Sequence, residues 1–588
     1  MSYQPNYPNY YQQAPVPPPP PPAPAPENPN KKRNLIITIV VVAVVLICCC
    51  ALAVVLLVWD PFGFGLLSML SGGSDAAAAM VPANSEVYIS ANLLNLTPEK
   101  LNRVIQPFSD VLDEVDVKDS ESALKEIDKQ LDDTFGITLT DDVMPWVGKS
   151  VGLSMYDLEM DSYGSVEDSK MVLAIQARNK KAADEFLVKF VKGIEDNNDV
   201  SFDESDYEGT IIYSVSEDYF ELALCRYKGF VLISSDEGTM KDTIDLKKAD
   251  SMAKNADFKA MMSNLPKDRA VTVFINSTDL VEALTDSISY GTGSAVTSTL
   301  DSWKGSALSM AIVDAGLQID SVAAYDTENI DEDMKVMLEE SGLESKAVSM
   351  LPEDAIAFVS GTRLDLTWKA ISVNLAGMGD EIGYEEAMKE FEDMAGFNLD
   401  SDLMAHLDGD YAICVFPSNE GMLSDNAGVD LGFAALIGTS QQDAVTESLD
   451  KLADTLEEDA YMTVDSSSFG DGQIYELSDL GGALAIRDSY LGLGSSANVM
   501  EDVYDKKSSI KDNPRYQEML KSVPSGMAPV LFIDVAGGID ILDEIIPYGV
   551  DEVTQNALKP IQYLVMSGSP MKNGLTRSSI LVAIEPVE

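Results

Sequence analysis

The chain has 588 residues, of which 46% are hydrophobic, and its 97 acidic and 40 basic side chains give a formal net charge of −57. A surface this acidic repels a phosphate backbone, so the composition excludes nucleic acid as a partner. The length and the apolar content allow two or three ordinary hydrophobic cores.

The N-terminal stretch, residues 1–33, is rich in Tyr, Gln, Asn and Pro and contains the proline run Pro17–Pro22. Such tracts favour an extended polyproline II conformation and bury no core. We therefore expect a disordered, Pro-rich cytoplasmic tail, which acts either as a solvated spacer or as a ligand for an aromatic groove.

An unbroken apolar run, Leu35–Val58, follows the tail. A helix rises about 1.5 Å per residue, so this run is long enough to cross a hydrocarbon core about 30 Å thick. It predicts one transmembrane helix over residues 34–59, with the lipid bilayer as its partner. The basic group Lys31–Arg33 precedes it, which places the N-terminus in the cytoplasm and the C-terminal domain outside the cell membrane. A cleaved signal peptide, the rival interpretation, has a shorter apolar core.

Residues 60–80 read as a linker, after which strand and helix patterns alternate. Glu86–Asn92 predicts a strand, and Thr97 caps a helix that begins at Pro98. A second helix should stop at Gly136. Alternating apolar residues predict further strands at Val151–Tyr156, Met171–Ala177, Thr210–Val215, Tyr219–Arg226, Phe230–Ser234, Val271–Asn276, Ala307–Val313 and Leu317–Tyr325.

The second half of the chain repeats the first. Leu399–Leu407 echoes Leu139–Val147, for example, and the other matches follow in the same order at a nearly constant offset. Chance does not keep so many matches colinear, and self-similarity of this kind defines the architecture. We predict an α+β fold of two tandem copies of an antiparallel-sheet-plus-helices unit, residues 80–330 and 345–588. The copies form either a pseudo-two-fold pair or one fused sheet.

The first copy contains a characteristic order of motifs: Phe135-Gly136, then Pro145-Trp146, then strands and helices leading to Leu265-Pro266. It resembles a family of bacterial membrane-anchored proteins known as domain of unknown function 3352, over most of residues 80–588. The resemblance implies no catalytic residues and no activity. In the second copy His406 replaces Trp146, so a ligand role for that tryptophan would belong to the first copy alone.

Residues for catalysis or metal binding do not stand out. His406 is the single histidine, so any histidine-dependent triad would have to use it, and no Gly-x-Ser-x-Gly elbow precedes it. No His/Cys cluster has zinc-ligand spacing. Asp157, Glu159 and Asp161 begin like a calcium loop, but Ser162 stands where the sharp turn needs glycine. We therefore predict no catalytic, cofactor-binding or metal residues and no cofactor.

Two tryptophans and two cysteines are the other residues of interest. Trp146 and Trp303 each precede a glycine and a strand, so each ring either packs over a turn or provides a stacking platform for a ligand. Cys225 and Cys414 lie alone in apolar segments, which favours buried strand residues over a disulfide.

Together these features predict a non-enzymatic, single-pass protein of the cell envelope, whose acidic outer part binds or spaces an envelope protein, a peptide or a divalent cation. Two alternatives remain open. One is an extracytoplasmic hydrolase with two carboxylates about 5–10 Å apart. The other is a carrier with an apolar cavity of about 300–1,000 Å³ between the two copies. The oligomeric state stays open.

Overall fold

The structure is a computed structural model. It describes residues 75–586 except 113–116, 161–165, 168, 199, 218–219, 277–301, 378–383, 428–429, 459–461, 480, 506–507 and 546–551. The predicted tail and the predicted membrane span, Leu35–Val58, lie outside the described residues.

Most of the described chain is β-strand. The strands of the first half are β1 Val87–Asn92, β2 Val147–Tyr156, β3 Glu159–Met160, β4 Val166–Glu167, β5 Lys170–Ala177, β6 Asp203–Tyr207, β7 Thr210–Glu217, β8 Phe220–Tyr227, β9 Phe230–Ser234, β10 Val271–Ile275, β11 Trp303–Val313 and β12 Gly316–Tyr325. The strands of the second half are β13 Ala357–Thr362, β14 Asp410–Pro417, β15 Leu431–Gly438, β16 Val464–Phe469, β17 Gly472–Leu477, β18 Gly482–Arg487, β19 Tyr490–Gly494, β20 Ala528–Ile533, β21 Ile561–Lys572 and β22 Leu575–Ile584.

Helices connect these strands. Those of the first half are α1 Pro98–Ile105, α2 Ser109–Leu112, α3 Ser120–Phe135, α4 Lys180–Asn198, α5 Glu237–Asp245 and α6 Ala256–Asn264. Those that follow are α7 Glu332–Glu340, α8 Leu364–Gly377, α9 Tyr384–Ala395, α10 Met422–Ala427, α11 Gln442–Glu458, α12 Ala497–Tyr504, α13 Pro514–Ser522, α14 Val535–Ile545 and α15 Glu552–Leu558.

Local sequence signals set several of these boundaries. The Thr97 hydroxyl accepts a hydrogen bond from the Lys100 amide, and Pro98 is the first residue of α1, as predicted. Helix α3 ends where Gly136 adopts a left-handed conformation with φ of 63°. Glycine takes this conformation without the clash that a Cβ would cause, which explains the predicted stop.

Among the described residues, twenty strands form one antiparallel sheet. From edge to edge the order is β6-β7-β8-β9-β5-β2-β1-β10-β11-β12-β22-β21-β20-β13-β14-β15-β19-β18-β17-β16. The order reads the same from both edges once each strand is replaced by its counterpart in the other half. The midpoint is the pairing of β12 with β22.

The fold class predicted from the sequence is wrong in its architecture. The two halves are not two tandem units but parts of one sheet, because β12 and β22 pair over nine residues, from Gly316 with Ala583 to Ala324 with Leu575. An unpaired edge strand leaves a row of backbone donors and acceptors open, and this pairing satisfies one such edge from each half. The central pair of the ladder is Asp320 with Ser579, both buried.

The structure also contradicts the predicted transmembrane helix. With it falls the predicted localisation, a single-pass cell-membrane protein with an extracytoplasmic C-terminal domain. None of the helices in the described ranges is both long enough and apolar enough to cross a bilayer.

The sheet has two faces, each with its own core. The front face includes Leu153 and is covered in the first half by α3 and α4. The back face includes Tyr88 and Phe274 and is covered by α6, with α5 beside it. In the second half, α11 packs on the front face, and α12 and α13 pack on the back face. Equivalent helices therefore occupy equivalent sides of the sheet.

A partly buried carboxylate anchors the start of each half, but its position differs. In the first half Asp75 accepts hydrogen bonds from the Ser150 hydroxyl at 3.1 Å and from the Tyr88 hydroxyl at 2.8 Å. In the second half, Ser345 stands in place of Asp75 and Asp410 in place of Ser150, and their oxygens lie 2.8 Å apart. The carboxylate and the hydroxyl have exchanged positions. A serine–aspartate hydrogen bond therefore joins the same two segments in both halves.

The tyrosine that donates a hydrogen bond to this carboxylate also differs between the halves. Phe358 replaces Tyr88 in the second half, and the Tyr490 hydroxyl donates to Asp410 at 2.7 Å instead. Gly152 faces Tyr88, and a Cβ on Gly152 would lie 2.5 Å from the Tyr88 hydroxyl oxygen and 2.7 Å from the Ala77 Cβ. Ala412 stands at the position equivalent to Gly152, so a methyl group is present only in the half that lacks the hydroxyl.

This arrangement predicts the effect of Gly152→Ala. The added methyl overpacks the back face, so the variant should lose about 2 kcal/mol of unfolding free energy in urea titrations. Adding Tyr88→Phe removes the closer of the two clashes and should recover part of the loss, whereas Tyr88→Phe alone should only destabilise, because Asp75 loses a donor. A Gly152→Ala variant as stable as the parent would contradict the packing described.

Candidate functional site

Trp146, one of the two candidate stacking platforms, is a core residue. Its side chain is 0% exposed, and its indole nitrogen donates to the Asp142 carbonyl at 2.9 Å. The ring centroids of Trp146 and Phe186 lie 4.9 Å apart, and Phe190 continues the stack at 5.4 Å from Phe186. A ring enclosed in this way cannot stack on a ligand, so the platform hypothesis is wrong for Trp146.

The other residues singled out from the sequence occupy separate places. Trp303 begins β11 and donates to the Ser306 hydroxyl at 2.9 Å. His406 is half-buried after β13 and α9, and its carbonyl accepts from the Thr439 hydroxyl at 2.7 Å. Cys225 and Cys414 are free and buried in β8 and β14, as predicted. Burial raises the pKa of both thiols to about 12, so neither is a reactive thiolate at neutral pH.

The acidic segment considered for calcium is not assembled as a metal site in the part that the structure describes. Asp157 pairs with Lys170 at 3.0 Å, and Asp161 lies outside the described residues. Within the described ranges, His, Cys, Asp and Glu side chains nowhere converge in threes as a metal ion would require.

The front face of the second half exposes apolar side chains at the centre of the sheet. Val359 on β13 is 42% exposed, Ile413 on β14 is 41% exposed, and Ile533 on β20 is 36% exposed. We call these three residues the open apolar face. Strands β20, β13 and β14 are adjacent, and neighbouring strands lie about 4.8 Å apart, so the face is about 10 Å wide.

The same face is covered at the equivalent central position of the first half, although Leu308 on β11 is 36% exposed. Leu153 pairs with Ile89 and Leu173 just as Ile413 pairs with Val359 and Ala435, so Leu153 and Ile413 are equivalent. Leu153 is 2% exposed. Leu153 and Ile413 have the same strand position and the same apolar character. They differ in exposure because the helices that cover the sheet differ between the halves.

The difference arises from the aromatic cluster. In the first half Trp146 and Phe186 fill the space between α3, α4 and the sheet. At their positions the second half has His406 and Ser448. The Ser448 hydroxyl donates a hydrogen bond to the Asp402 carbonyl at 2.8 Å. Smaller, polar side chains do not fill the volume of two aromatic rings, so the helices of the second half leave part of the sheet uncovered.

Helices flank the open apolar face on both sides. Helix α11 covers β15 and β19 through Val445 and Leu449, and on the other side α7 contacts β21, with Gly342 lying against Gly568. The front-facing residues between them carry no charge: Ala357, Val359, Gly361, Tyr411, Ile413, Val415, Phe433, Ala435, Ile437, Leu531 and Ile533. The result is an uncharged apolar groove, the composition typical of ligand sites.

Helix α8 borders the same region and exposes part of its apolar surface. Leu366 is buried, whereas Val373 is 61% exposed and Ile371 is also exposed. Polar residues such as Lys369 share the helix, so the exposed Val373 and Ile371 indicate an apolar side that is only partly covered.

A cleft of about 380 Å³ separates α8 from α9, which we call the α8–α9 cleft. It is lined by Ser372, Val373, Tyr384, Met388, Lys389, Glu392, Asn398 and Asp400. This volume lies within the range of small-molecule sites. Leu364 of α8 and Tyr411 of the front face pack on the same core, so the cleft and the open apolar face are on one side of the sheet.

The polar groups of the cleft contact one another. The Trp368 indole donates to Asp400 at 2.6 Å, and Asn398 donates to Glu392 at 3.1 Å. The Tyr384 hydroxyl oxygen is buried beside the Ser372 side chain of α8. Burial raises the pKa of Tyr384, the Asp400 charge adds to the rise, and the hydrogen bond with Ser372 opposes it, so the phenol stays neutral.

At the corresponding place in the first half, side-chain hydrogen bonds hold α3 to its neighbours. Asp128, which stands where the second half has Met388, accepts hydrogen bonds from the Leu139 amide at 2.7 Å and from the Thr140 amide at 3.0 Å. Asn102 of α1 accepts from the Ser120 amide at 2.7 Å, which joins α1 to α3. Met388 has no carboxylate, so the second half lacks the bonds that Asp128 makes in the first.

Sequence reasoning missed both features. The only signal that it registered was the replacement of Trp146 by His406. A comparison of the helix stripes of the two copies would have added Phe186 against Ser448 and Asp128 against Met388, and these are the substitutions that open the second half.

Comparisons with known proteins give a family but no activity. Residues 39–584 match the model of a family described as a protein of unknown function, DUF3352. A search of curated proteins finds no match.

Solved structures give only weak likenesses. Crystal form III of TP0453 shares 7% sequence identity, covering 46% of this chain and 89% of that chain at a TM-score of 0.23. Crystal form I of TP0453 shares 9% identity, covering 45% and 85%, at a TM-score of 0.22. TM-scores this low support no inference about fold or function.

Proposed function

This chain belongs to the family of proteins of unknown function DUF3352, and we propose that it is a non-enzymatic binding protein that holds an apolar ligand on the front face of its second half. The observation that supports the proposal is the contrast between equivalent residues, Leu153 at 2% and Ile413 at 41% exposure. The helices of the first half cover the sheet at Leu153, whereas those of the second half leave it open at Ile413.

The proposal moves the apolar site that the sequence placed between the two copies into the second copy. Exposed side chains on the inner strands of a sheet are unusual, since these strands normally carry the core. Here they form the floor of a groove between α11 and α7, and the front-facing residues of the strands that line it carry no charge. A groove about 10 Å wide fits a chain-like apolar molecule.

Nile red, a neutral apolar dye whose fluorescence rises on burial, tests the proposal with the full chain. Ile413→Ser and Val359→Ser should each weaken dye binding by about tenfold, because each removes apolar contact area worth about 1–1.5 kcal/mol. Both side chains are exposed, so both variants should fold.

The matched control is Val188→Ser. Val188 lies on α4 of the first half and is also exposed, but it is remote from the groove. It should leave dye binding unchanged. Equal effects of Val188→Ser and Ile413→Ser, or no effect of either groove variant, would contradict the proposal.

A further inference from the structure

We propose that strand β16, at one edge of the sheet, pairs antiparallel with β16 of a second copy of this chain, so that two sheets join across a two-fold axis. Within the described ranges β16 pairs only with β17. A strand that is unpaired on one side is a template for another strand. The inference is independent of the apolar groove, because β15, β19, β18 and β17 separate β16 from β14.

The backbone of β16 presents its free side in a regular pattern. A two-residue turn that begins at Gly470 joins β16 to β17, so Phe469 and Gly472 face each other as a hydrogen-bonded pair. Such pairs alternate along an antiparallel ladder, so Ser466 and Ser468 direct their N–H and C=O groups away from β17. Both serines are exposed, which leaves room for a second strand.

The opposite edge of the sheet carries charges that β16 lacks. Strand β6 is the equivalent edge of the first half, and its exposed Glu204 and Asp206 correspond to Ser466 and Ser468. Charged side chains on an edge strand prevent pairing between copies. The second half has small hydroxyl groups in place of both carboxylates, so the two edges differ in their capacity for self-pairing.

The register centred on Ser467 fits the free side of β16. It places Ser466 of one copy opposite Ser468 of the other, and both residues direct their backbone groups outward, as a hydrogen-bonded pair requires. The side chains that meet are small and uncharged. The same register in β6 would place Glu204 opposite Asp206, and like charges directly opposite each other destabilise a strand pair.

The one charged residue of β16 meets a cation in this register. Asp465 of one copy lies opposite Phe469 of the other. The guanidinium carbon of Arg487 lies 4.8 Å from the centroid of the Phe469 ring, so the aspartate approaches a positive group rather than a second carboxylate. The edge is therefore complementary to itself in both hydrogen bonding and charge.

The net charge of −57 sets the salt dependence of the dimer. Two copies repel each other at long range, and salt screens this repulsion with a Debye length of about 8 Å at physiological ionic strength. The backbone hydrogen bonds of the edge are short-range and are not screened in this way. The dimer should therefore become tighter as salt is added, whereas a basic peptide at the same edge would bind more weakly.

Ser467→Cys tests the register with the full chain. Residues opposite each other in a non-hydrogen-bonded antiparallel pair have Cα atoms about 4.5 Å apart, which a disulfide can span. Position 467 lies opposite itself in such a pair, so mild oxidation should give a covalent dimer on a non-reducing gel. Ser205→Cys, at the equivalent position of β6, is the matched control and should give no more dimer than the wild type.

Sedimentation equilibrium tests the association itself. Because β16 has six residues and forms a small interface, we expect a reversible dimer with a dissociation constant on the order of 10 μM. Ser466→Glu/Ser468→Asp, which copies β6, should weaken the dimer about tenfold, because like charges then lie opposite each other. Ser263→Glu/Ser525→Asp adds the same charge at exposed positions away from the edge and should leave it unchanged. Circular dichroism verifies that each variant is folded.

Four results would overturn the assignment. The first is a wild-type chain that stays monomeric throughout the concentration range, and the second is equal behaviour of the two charged double variants. A dimer that dissociates on addition of salt would indicate another interface. Assemblies that grow beyond the dimer would indicate pairing of β16 with β6 in a head-to-tail chain instead of a closed two-fold pair.

Discussion

Leu153→Ala should lower the free energy of unfolding by about 3 kcal/mol, whereas Ile413→Ala, at the equivalent position, should lower it by less than about 1 kcal/mol. Leu153 is enclosed by the sheet, α3 and α4, so truncation leaves a cavity that the surroundings cannot collapse into. Ile413 is 41% exposed, so truncation removes little burial and creates no closed cavity.

Urea titrations of the two variants, followed by circular dichroism and by tryptophan fluorescence, measure this difference. The sheet joins both halves, so the midpoint should be read with both probes to establish whether the transition is cooperative. Similar losses for Leu153→Ala and Ile413→Ala would mean that the front face of the second half is as well covered as that of the first, and the proposed ligand site would be lost with it.

Leu153 and Ile413 also show what can be predicted from the sequence and what cannot. Apolar alternation predicted Val151–Tyr156 as a strand, and β2 is Val147–Tyr156. Residues 410–417 form the equivalent strand, β14, with the same alternation. Periodicity reports which residues share a face, but it does not report what covers that face. The exposure of Ile413 depends on Ser448 and His406, which are distant in the chain.

The sequence could not decide between a fused sheet and a pseudo-two-fold pair for a related reason. Gly316–Tyr325 and Leu575–Ile584 both carry the pattern of an ordinary strand, and that pattern does not say which edge a strand pairs with. The residues at the centre of their ladder, Asp320 and Ser579, are polar and buried, and Gln318 donates to both Asp320 oxygens at 3.0 Å. A buried carboxylate with its own donor is a property of the assembled sheet, whereas an isolated strand would present it as a solvent-facing residue.

The α8–α9 cleft shows the same limit in a different element. Helices α8 and α9 occupy the positions of α1 and α3 in the second copy. In the first half Asn102 binds the Ser120 amide at the start of α3, and Asp128 binds the Leu139 and Thr140 amides after it, whereas Met388 in place of Asp128 cannot accept such bonds. Side-chain hydrogen bonds between helices leave no periodic signal, so only an aligned comparison of the two copies could have exposed the change.

Asp410→Ser should lower the free energy of unfolding by about 3 kcal/mol. Asp410 accepts hydrogen bonds from the Ser345 hydroxyl at 2.8 Å, the Ala347 amide at 2.9 Å and the Tyr490 hydroxyl at 2.7 Å. Removing the carboxylate leaves these donors without an acceptor in a half-buried place. Ser345→Asp alone should also destabilise, because it puts a second carboxylate beside Asp410.

The double variant Ser345→Asp/Asp410→Ser should be more stable than either single variant, because it rebuilds the arrangement that Asp75 and Ser150 have in the first half. The expected coupling in a double-mutant cycle is about 2 kcal/mol. Recovery should be incomplete, since Tyr490 loses its acceptor and the position of Tyr88 is held by Phe358. A double variant that loses the sum of the two single effects would show that the exchange between the halves is not a compensation.

The dependence on pH gives the same experiment a second readout. Burial alone would raise the pKa of Asp410, but the bonds from Ala347, Tyr490 and Ser345 outweigh it and lower the pKa below 3.8. Its contribution is therefore present above pH 3.8 and is lost as the pH falls through the lowered pKa. For Asp75, burial outweighs the hydrogen bonds and raises the pKa above 3.8, so its contribution is present at low pH and is lost as the pH rises. Exchanging the residues at positions 345 and 410 should move the second half from the first behaviour to the second, so the double variant should lose less stability in acid than the wild type.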